Sequence, residues 1–279
     1  MAKTETYKAK ASAKIALALA NSTSPFTIEV RFMGGLTTKQ KNAFKAAADR
    51  WSRVIVGDLP SVMVDGEVID DLVIMAQGQA IDGPGKILGQ AGPTRLRPAS
   101  AGAAAFLPAK GKMQFDTADL KKMETDGTLN DVITHEMGHV LGIGTIWTFK
   151  NLLKGAGTSN PTFTGKGAMK EFGKLKGKPP TLVPVENTGG AGTRDSHFRE
   201  SVFRNELMTG FVGTSGNPLS RMTAASLEDL GYVVDLSAAE AFTLPNLLAL
   251  AEAGDLALPK PEGIVLPNIP IVLPDDSMQ

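Results

Sequence analysis

Leu129-Asn130-Asp131-Val132-Ile133-Thr134-His135-Glu136-Met137-Gly138-His139-Val140-Leu141-Gly142 is the stretch on which the reading of this chain turns. Leu129, Val132, Ile133, Met137, Val140 and Leu141 recur at helical spacing and form one buried side. Thr128 with Asp131 reads as a capping box, and Gly142 and Gly144 read as the stop. On such a helix His135 and His139 project from one face about one turn apart. Two neutral imidazoles so placed can share one tetrahedral metal. Glu136 lies beside them, within reach of a metal-bound water. Zinc lowers the pKa of that water to about 7, and a carboxylate can take its proton and pass it to a leaving amine. From this composition the H-E-x-x-H string seldom arises by chance. The competing reading is a buried helix with two satisfied histidines.

The chain has 3 histidines in all, and the remaining one is His197. Three protein ligands leave the open position that a catalytic zinc needs. His197 is the favoured third ligand, and Glu200 and Glu206 are the alternatives.

Composition narrows the field. The 279 residues suit one domain better than two. A hydrophobic content of 42% allows a buried core. Lys and Arg (29) balance Asp and Glu (29), which argues against a nucleic-acid partner or a charged membrane surface. No apolar run approaches the length of a membrane span. The absence of cysteine excludes disulfides, a thiolate ligand and a cysteine nucleophile.

Working outward, Phe26, Ile28, Val30 and Phe32 alternate as a half-buried strand. Thr37 and Gln40 form a capping box before a helix that carries Phe44, Ala47, Trp51, Val54 and Ile55 on one face and ends at Gly57. Further strands are expected at Val68–Met75, Ile87–Ala91 and Met113–Phe115, and short helices at Thr223–Leu230 and Leu247–Ala253. Phe149–Ser196 is rich in Gly, Lys and Thr and reads as an irregular functional loop or small subdomain. Three segments follow: residues 1–24 as a leader, either disordered or an export or pro segment; 25–256 as the catalytic domain; and 257–279 as a proline-rich tail in extended conformation. The apolar run Ile15–Ala20 is short for a secretory signal.

The string His135-Glu136-Met137-Gly138-His139-Val140-Leu141-Gly142 resembles the zinc helix of the metzincin peptidases. Most metzincins place a third histidine three residues after that glycine, where this chain has Thr145. Leishmanolysin-like peptidases share the departure, with a long insertion before the third histidine. His197-Phe198-Arg199-Glu200 through Asn205-Glu206-Leu207-Met208-Thr209-Gly210 closely resembles theirs, as does Ala224-Ala225-Ser226-Leu227-Glu228-Asp229-Leu230-Gly231-Tyr232. The resemblance implies an α+β fold of two lobes, with a twisted mixed sheet and helices above and a mostly irregular and helical lobe below. It implies a zinc-dependent endopeptidase with His135, His139 and His197 as ligands, Glu136 as general base and Met208 beneath the metal. Gly210 stands where some relatives carry a tyrosine ligand.

Asp82-Gly83-Pro84-Gly85 with Asp116 and Asp119 resembles a matrixin calcium loop. By that resemblance Asp82, Asp116 and Asp119 and the carbonyls of Gly83, Gly85 and Ile87 would hold a structural calcium. Gln90 stands where a second zinc would need histidine. Substrate protein or peptide would lie along Ile87 and Gly89 by strand addition, with Phe211, Val212, Pro218 and Leu219 lining a side-chain pocket. A secreted monomer is expected. The rival readings are a catalytically silent protein-binding module, a zincin with Glu200 or Glu206 as third ligand, and a metal hydrolase acting on a non-peptide amide.

Overall fold

The structure is a computed structural model that describes residues 4–190, 192–212, 215–253 and 264–279. The first half runs β1 (Glu5–Lys10), α1 (Ala13–Ala20), β2 (Thr27–Phe32), α2 (Thr38–Val54), β3 (Val62–Val64), β4 (Glu67–Ile69), β5 (Leu72–Gln79), β6 (Ile87–Leu96), β7 (Pro108–Asp116), α3 (Thr117–Asp126) and α4 (Leu129–Val140). The second runs β8 (Leu153–Lys154), β9 (Thr162–Phe163), α5 (Lys166–Leu175), β10 (Val183–Pro184), α6 (Glu200–Phe203), α7 (Arg221–Leu230), α8 (Leu247–Glu252), β11 (Ile264–Pro267) and β12 (Ile271–Val272). The architecture is α+β, built on a mixed sheet ordered β1-β2-β5-β7-β6-β11, with β12 also pairing β6.

The sheet forms where apolar and β-branched residues alternate. β2, β5 and β7 run parallel, and β6 turns back antiparallel on β7. Helices α2 and α4 cover one face. Thr37 and Gln40 cap α2 reciprocally, as their spacing predicts. Phe44 of α2 meets Phe32 and Phe115 edge to face, with centroids 6.2 and 6.1 Å apart. On the opposite face the β3–β4 hairpin lays Val62, Val64 and Ile69 over Val73 and Ala109. Its Asp65-Gly66 turn has both residues at positive φ, the hairpin geometry this dipeptide favours. The strand expected at Val68–Met75 is therefore broken at Asp70-Asp71, with its two ends on different sheets. Asp71 turns inward and accepts from Leu59 N–H and from the backbone and hydroxyl of Thr27.

Both chain ends join the sheet. The leader assigned to residues 1–24 supplies β1 and α1; residues 1–3 lie outside the described ones. β1 pairs antiparallel with β2 along its whole length. Half-buried Tyr7 and buried Ala9 alternate with exposed Lys8 and Lys10, and the Tyr7 hydroxyl donates to Asp49 at 2.8 Å. Lysines on an edge strand disguised it as a solvated segment, but they are also what protects such an edge. The tail is likewise part of the sheet: β11 and β12 add in parallel to β6. Residues 257–263 of that tail lie outside the described ones.

The stretch Phe149–Ser196 is less irregular than its composition suggests. It contains α5, whose first N–H groups at Gly167 and Ala168 are held by the Asp229 carboxylate of α7. That cap comes from 61 and 62 residues away in sequence, so no local motif announces it. Phe163, Trp147, Phe198, Phe203 and Phe172 pack in series, with neighbouring centroids 5.0–6.0 Å apart, and form an aromatic floor around Phe198, the residue after His197.

Candidate metal centre

Helix α4 carries His135, Glu136 and His139, and its start differs from the expected capping box. Thr128 makes no side-chain cap. Asp131 instead accepts from the Gly216 N–H at 2.6 Å and pairs with Arg50 at 3.5 Å. A tertiary partner outcompetes the local one, and α4 is tied to the loop after residue 212. At the other end Gly142 and Gly144, at φ +111° and +76°, fold the chain back over the helix. The turn brings the Ile143 carbonyl onto His139 Nδ1 at 2.8 Å.

His197 arrives from a separate loop. Glu186 N–H donates to the His197 carbonyl, and Phe198 N–H donates to the Met208 carbonyl. The loop is pressed close to the end of α4: a Cβ on Gly144 would lie 1.9 Å from the Ser196 carbonyl oxygen. Gly144→Ala therefore combines a backbone clash with a left-handed alanine, costing about 1–3 kcal/mol. We expect it to weaken zinc binding at least tenfold, measured by chelator competition. Unchanged affinity would refute the coupling between this turn and His197.

The three rings meet at their Nε2 atoms, 2.9 to 3.0 Å apart in every pair. Each Nδ1 is spoken for: Leu207 carbonyl at 2.7 Å for His135, Ile143 carbonyl for His139, and Thr193 carbonyl at 2.9 Å for His197. Nδ1 must carry the proton to make those bonds, so all three Nε2 lone pairs face one another with no donor between them. Such an arrangement is repulsive until a cation enters. A tetrahedral zinc with bonds of about 2.05 Å sets its ligands roughly 3.3 Å apart, so the triangle needs only a few tenths of an ångström of expansion. Burial holds His135 near pKa 3 and His139 near 4, with the neighbouring His139 adding to the shift at His135. Burial and both neighbours likewise hold His197 well below its ordinary value. The donors are neutral and ready for metal.

Glu136 is buried beside them, and its Oε2 has no hydrogen-bond partner. Desolvation raises it to about 8. It opens onto a cavity of about 990 Å³ shared with all three histidines. Met208 lies beneath α4, its sulfur against Gly138: a Cβ there would sit 2.7 Å from Met208 Sδ and 3.0 Å from Trp51. The glycine inside the H-E-x-x-H string thus makes room for the methionine below it.

The alternative third ligands lie outside the histidine cluster. Glu206, fully buried, accepts from Met208 N–H, the Ser220 amide and hydroxyl, and the Thr223 hydroxyl. It ties the turn carrying Met208 to the first turn of α7. Glu200 sits with Glu186, whose Oε2 accepts the Glu200 N–H, and burial pushes Glu200 up to about 7. Neither joins the histidine cluster.

Of the expected substrate residues, Phe211 and Val212 line the cavity. Pro218 and Leu219 do not: Leu219 is buried, and their carbonyls accept from Leu207 and Glu240. Gly213 and Thr214 of that loop lie outside the described residues. Ile87 and Gly89 are paired on one side with β11. The ring partners Leu207, Ile143 and Thr193 escaped the sequence reading because they act through carbonyls, which leave no trace in side-chain identity.

The loop expected to hold calcium is tied to its two carboxylates by hydrogen bonds. Asp116 Oδ2 accepts from the amides of Ile81, Asp82 and Gly83, and Asp119 Oδ1 accepts from Gly85 N–H. The loop turns its donors, rather than the expected carbonyls, to these carboxylates. Asp82, Asp116 and Asp119 do not converge as a ligand group among the described residues. We expect calcium added to zinc-loaded protein to leave its Tm unchanged by differential scanning calorimetry. A clear rise would reinstate the ion.

A family model described as leishmanolysin matches residues 103–251. A leishmanolysin homolog from Crithidia fasciculata is 27% identical over 148 residues, covering 45% of this chain and 20% of that protein. The chain thus matches about a fifth of the length of that curated relative. No helix among the described residues is long and apolar enough to cross a membrane.

Proposed function

The chain belongs to the leishmanolysin family of metallopeptidases, and on that premise we propose that it is a zinc-dependent endopeptidase in which Glu136 is the general base. The observation that carries this reading is the convergence of three Nε2 lone pairs, with no proton between them, beside an unpartnered buried carboxylate in an open cavity.

His135, His139 and His197 would hold the ion. When bound, zinc supplies Lewis-acid polarisation of the scissile carbonyl and acidifies water. The chain's own residues do the rest. Leu207, Ile143 and Thr193 keep each ring in the tautomer that presents Nε2. Glu136 takes the proton from the attacking water and returns it to the departing amine nitrogen. Burial alone raises Glu136 to about 8; a dication held by the three histidines would act in the opposite sense and favour the carboxylate. Met208 forms the floor under the two helical histidines. The walls formed by Phe211 and Val212 on one side and Leu88 and Val132 on the other favour an extended, apolar stretch of polypeptide. In this reading the two halves of the chain are the two lobes of a metzincin-type domain, with the cleft between them.

Removing the ion tests the site. Because the metal binds the folded state alone, zinc at about 100 times Kd adds about 2.7 kcal/mol. We expect chelation to lower the Tm by several degrees, and one equivalent of zinc to restore both Tm and casein cleavage together. Restoration that needs two equivalents, or none, would overturn the single three-histidine site.

A further inference from the structure

The sheet edge nearest the metal centre is covered by the chain's own tail. β11 pairs in parallel with β6, Gly89 opposite Val265, Gln90 opposite Leu266 and Ala91 opposite Pro267. Val265, Pro267 and Asn268 line the same cavity as His135, Glu136, His139 and His197. The seat is built from both sides. Asn268 Nδ2 donates to the Gly92 carbonyl at 3.0 Å and toward the Lys112 carbonyl at 3.4 Å. Gly92 holds φ +145°, and a Cβ there would touch Asn268 at 3.4 to 3.6 Å.

Farther on, the tail is anchored away from the cleft. Ile271 and Val272 pair with Arg95 and Leu96, Leu273 N–H donates to the Leu96 carbonyl, and Gln279 N–H donates to the Ser61 carbonyl. The Ser100 hydroxyl binds the Asp275 carboxylate at 2.6 Å.

We propose that residues 264–268 are a built-in competitor that occupies the strand-binding edge of the cleft and holds the enzyme in a restrained state until the tail is displaced or cut. A sheet edge offers one row of N–H and C=O groups, so β6 can pair with the tail or with an extended substrate, but not with both. The tether gives the tail an effective concentration on the order of millimolar, against which a free peptide must compete. Pro267 and Pro270 lack N–H groups, so the outer face of the tail strand is a poor template for a further strand. The proposal rests on reading the cavity as the peptide cleft, and its test separates the two.

The test uses full-length chains. Asn268→Asp sets a carboxylate against two carbonyl oxygens and should release the tail. Gln90→Cys with Leu266→Cys places thiols at register partners in a chain that otherwise has none, so oxidation locks the tail and a phosphine reductant frees it. Casein cleavage should rise about tenfold in Asn268→Asp and fall at least tenfold in the oxidised pair, recovering on reduction.

Binding is read separately on Glu136→Ala backgrounds, with a fluorescein-labelled peptide of the sequence of residues 264–273 as probe. The Asn268→Asp form should bind it about tenfold more tightly, and the oxidised form should not bind it. Thiols that fail to cross-link refute the pairing. Equal probe affinity in all forms, with Asn268→Asp merely less heat-stable, makes the tail only another strand and overturns the proposal. If probe binding follows tail release while no Glu136-bearing form cleaves casein, the peptidase reading fails and the tail assignment stands.

Discussion

Glu136→Ala should keep one zinc per chain and lose casein cleavage by on the order of 10²- to 10⁴-fold. The two properties separate because the carboxylate is not among the groups that converge on the ion. The convergent atoms are three histidine nitrogens, each locked by a carbonyl behind it. Glu136 lies beside that triangle with one oxygen unpartnered, although it is buried where an idle carboxylate costs stability. Relief of that cost predicts a second result: the metal-free Glu136→Ala protein should be as stable as the parent or more so. Glu136→Gln, which keeps the shape but cannot take a proton, should be as inactive as the alanine variant. Zinc content by plasma emission, cleavage and a denaturant melt suffice. Equal loss of zinc and activity would make Glu136 a ligand. Retained activity would remove it from the chemistry.

His197→Ala carries the second large effect. Altering a residue that merely orients a ligand costs about 10–100-fold in metal affinity, so loss of one of only three ligands should exceed that. The expected fall is at least a hundredfold, with the fold retained, because His197 contributes little to the aromatic floor that Phe198 builds behind it. Glu206→Gln is the control. It removes an acceptor from a carboxylate that gathers four donors, which should cost about 1–3 kcal/mol and lower the Tm. Zinc affinity should move far less than in His197→Ala. If His197→Ala binds zinc as the parent does and Glu206→Gln does not, the glutamate is the third ligand after all.

The three-histidine cluster was legible to an unusual degree. A helix period and an i, i+4 histidine pair are local properties, and a chain with 3 histidines leaves few candidates for the third position. The central strands were legible for the same reason: alternation at Ile28, Val30 and Phe32 needs no partner to be seen. Where competing partners exist, local reading failed. Asp131 has the spacing of a capping residue but takes Gly216 and Arg50 instead. Asp116 and Asp119, read as calcium ligands from their spacing, each also accept from a loop's amides, which the spacing did not announce.

The ends of the chain show the same limit most clearly. Lysine-rich β1 and proline-rich β11 have weak patterns of their own and become strands because β2 and β6 present unpaired edges to them. Residue identity and spacing sufficed for the helical histidine pair, the carboxylate beside it and the family, because helix geometry alone sets those side chains next to one another. Which carbonyls hold the rings, where a glycine makes way for Met208, and which strand lies along the cleft were decided by tertiary structure. Backbone hydrogen bonding is nearly blind to side-chain identity, and edge pairing depends on which surfaces the rest of the fold leaves open.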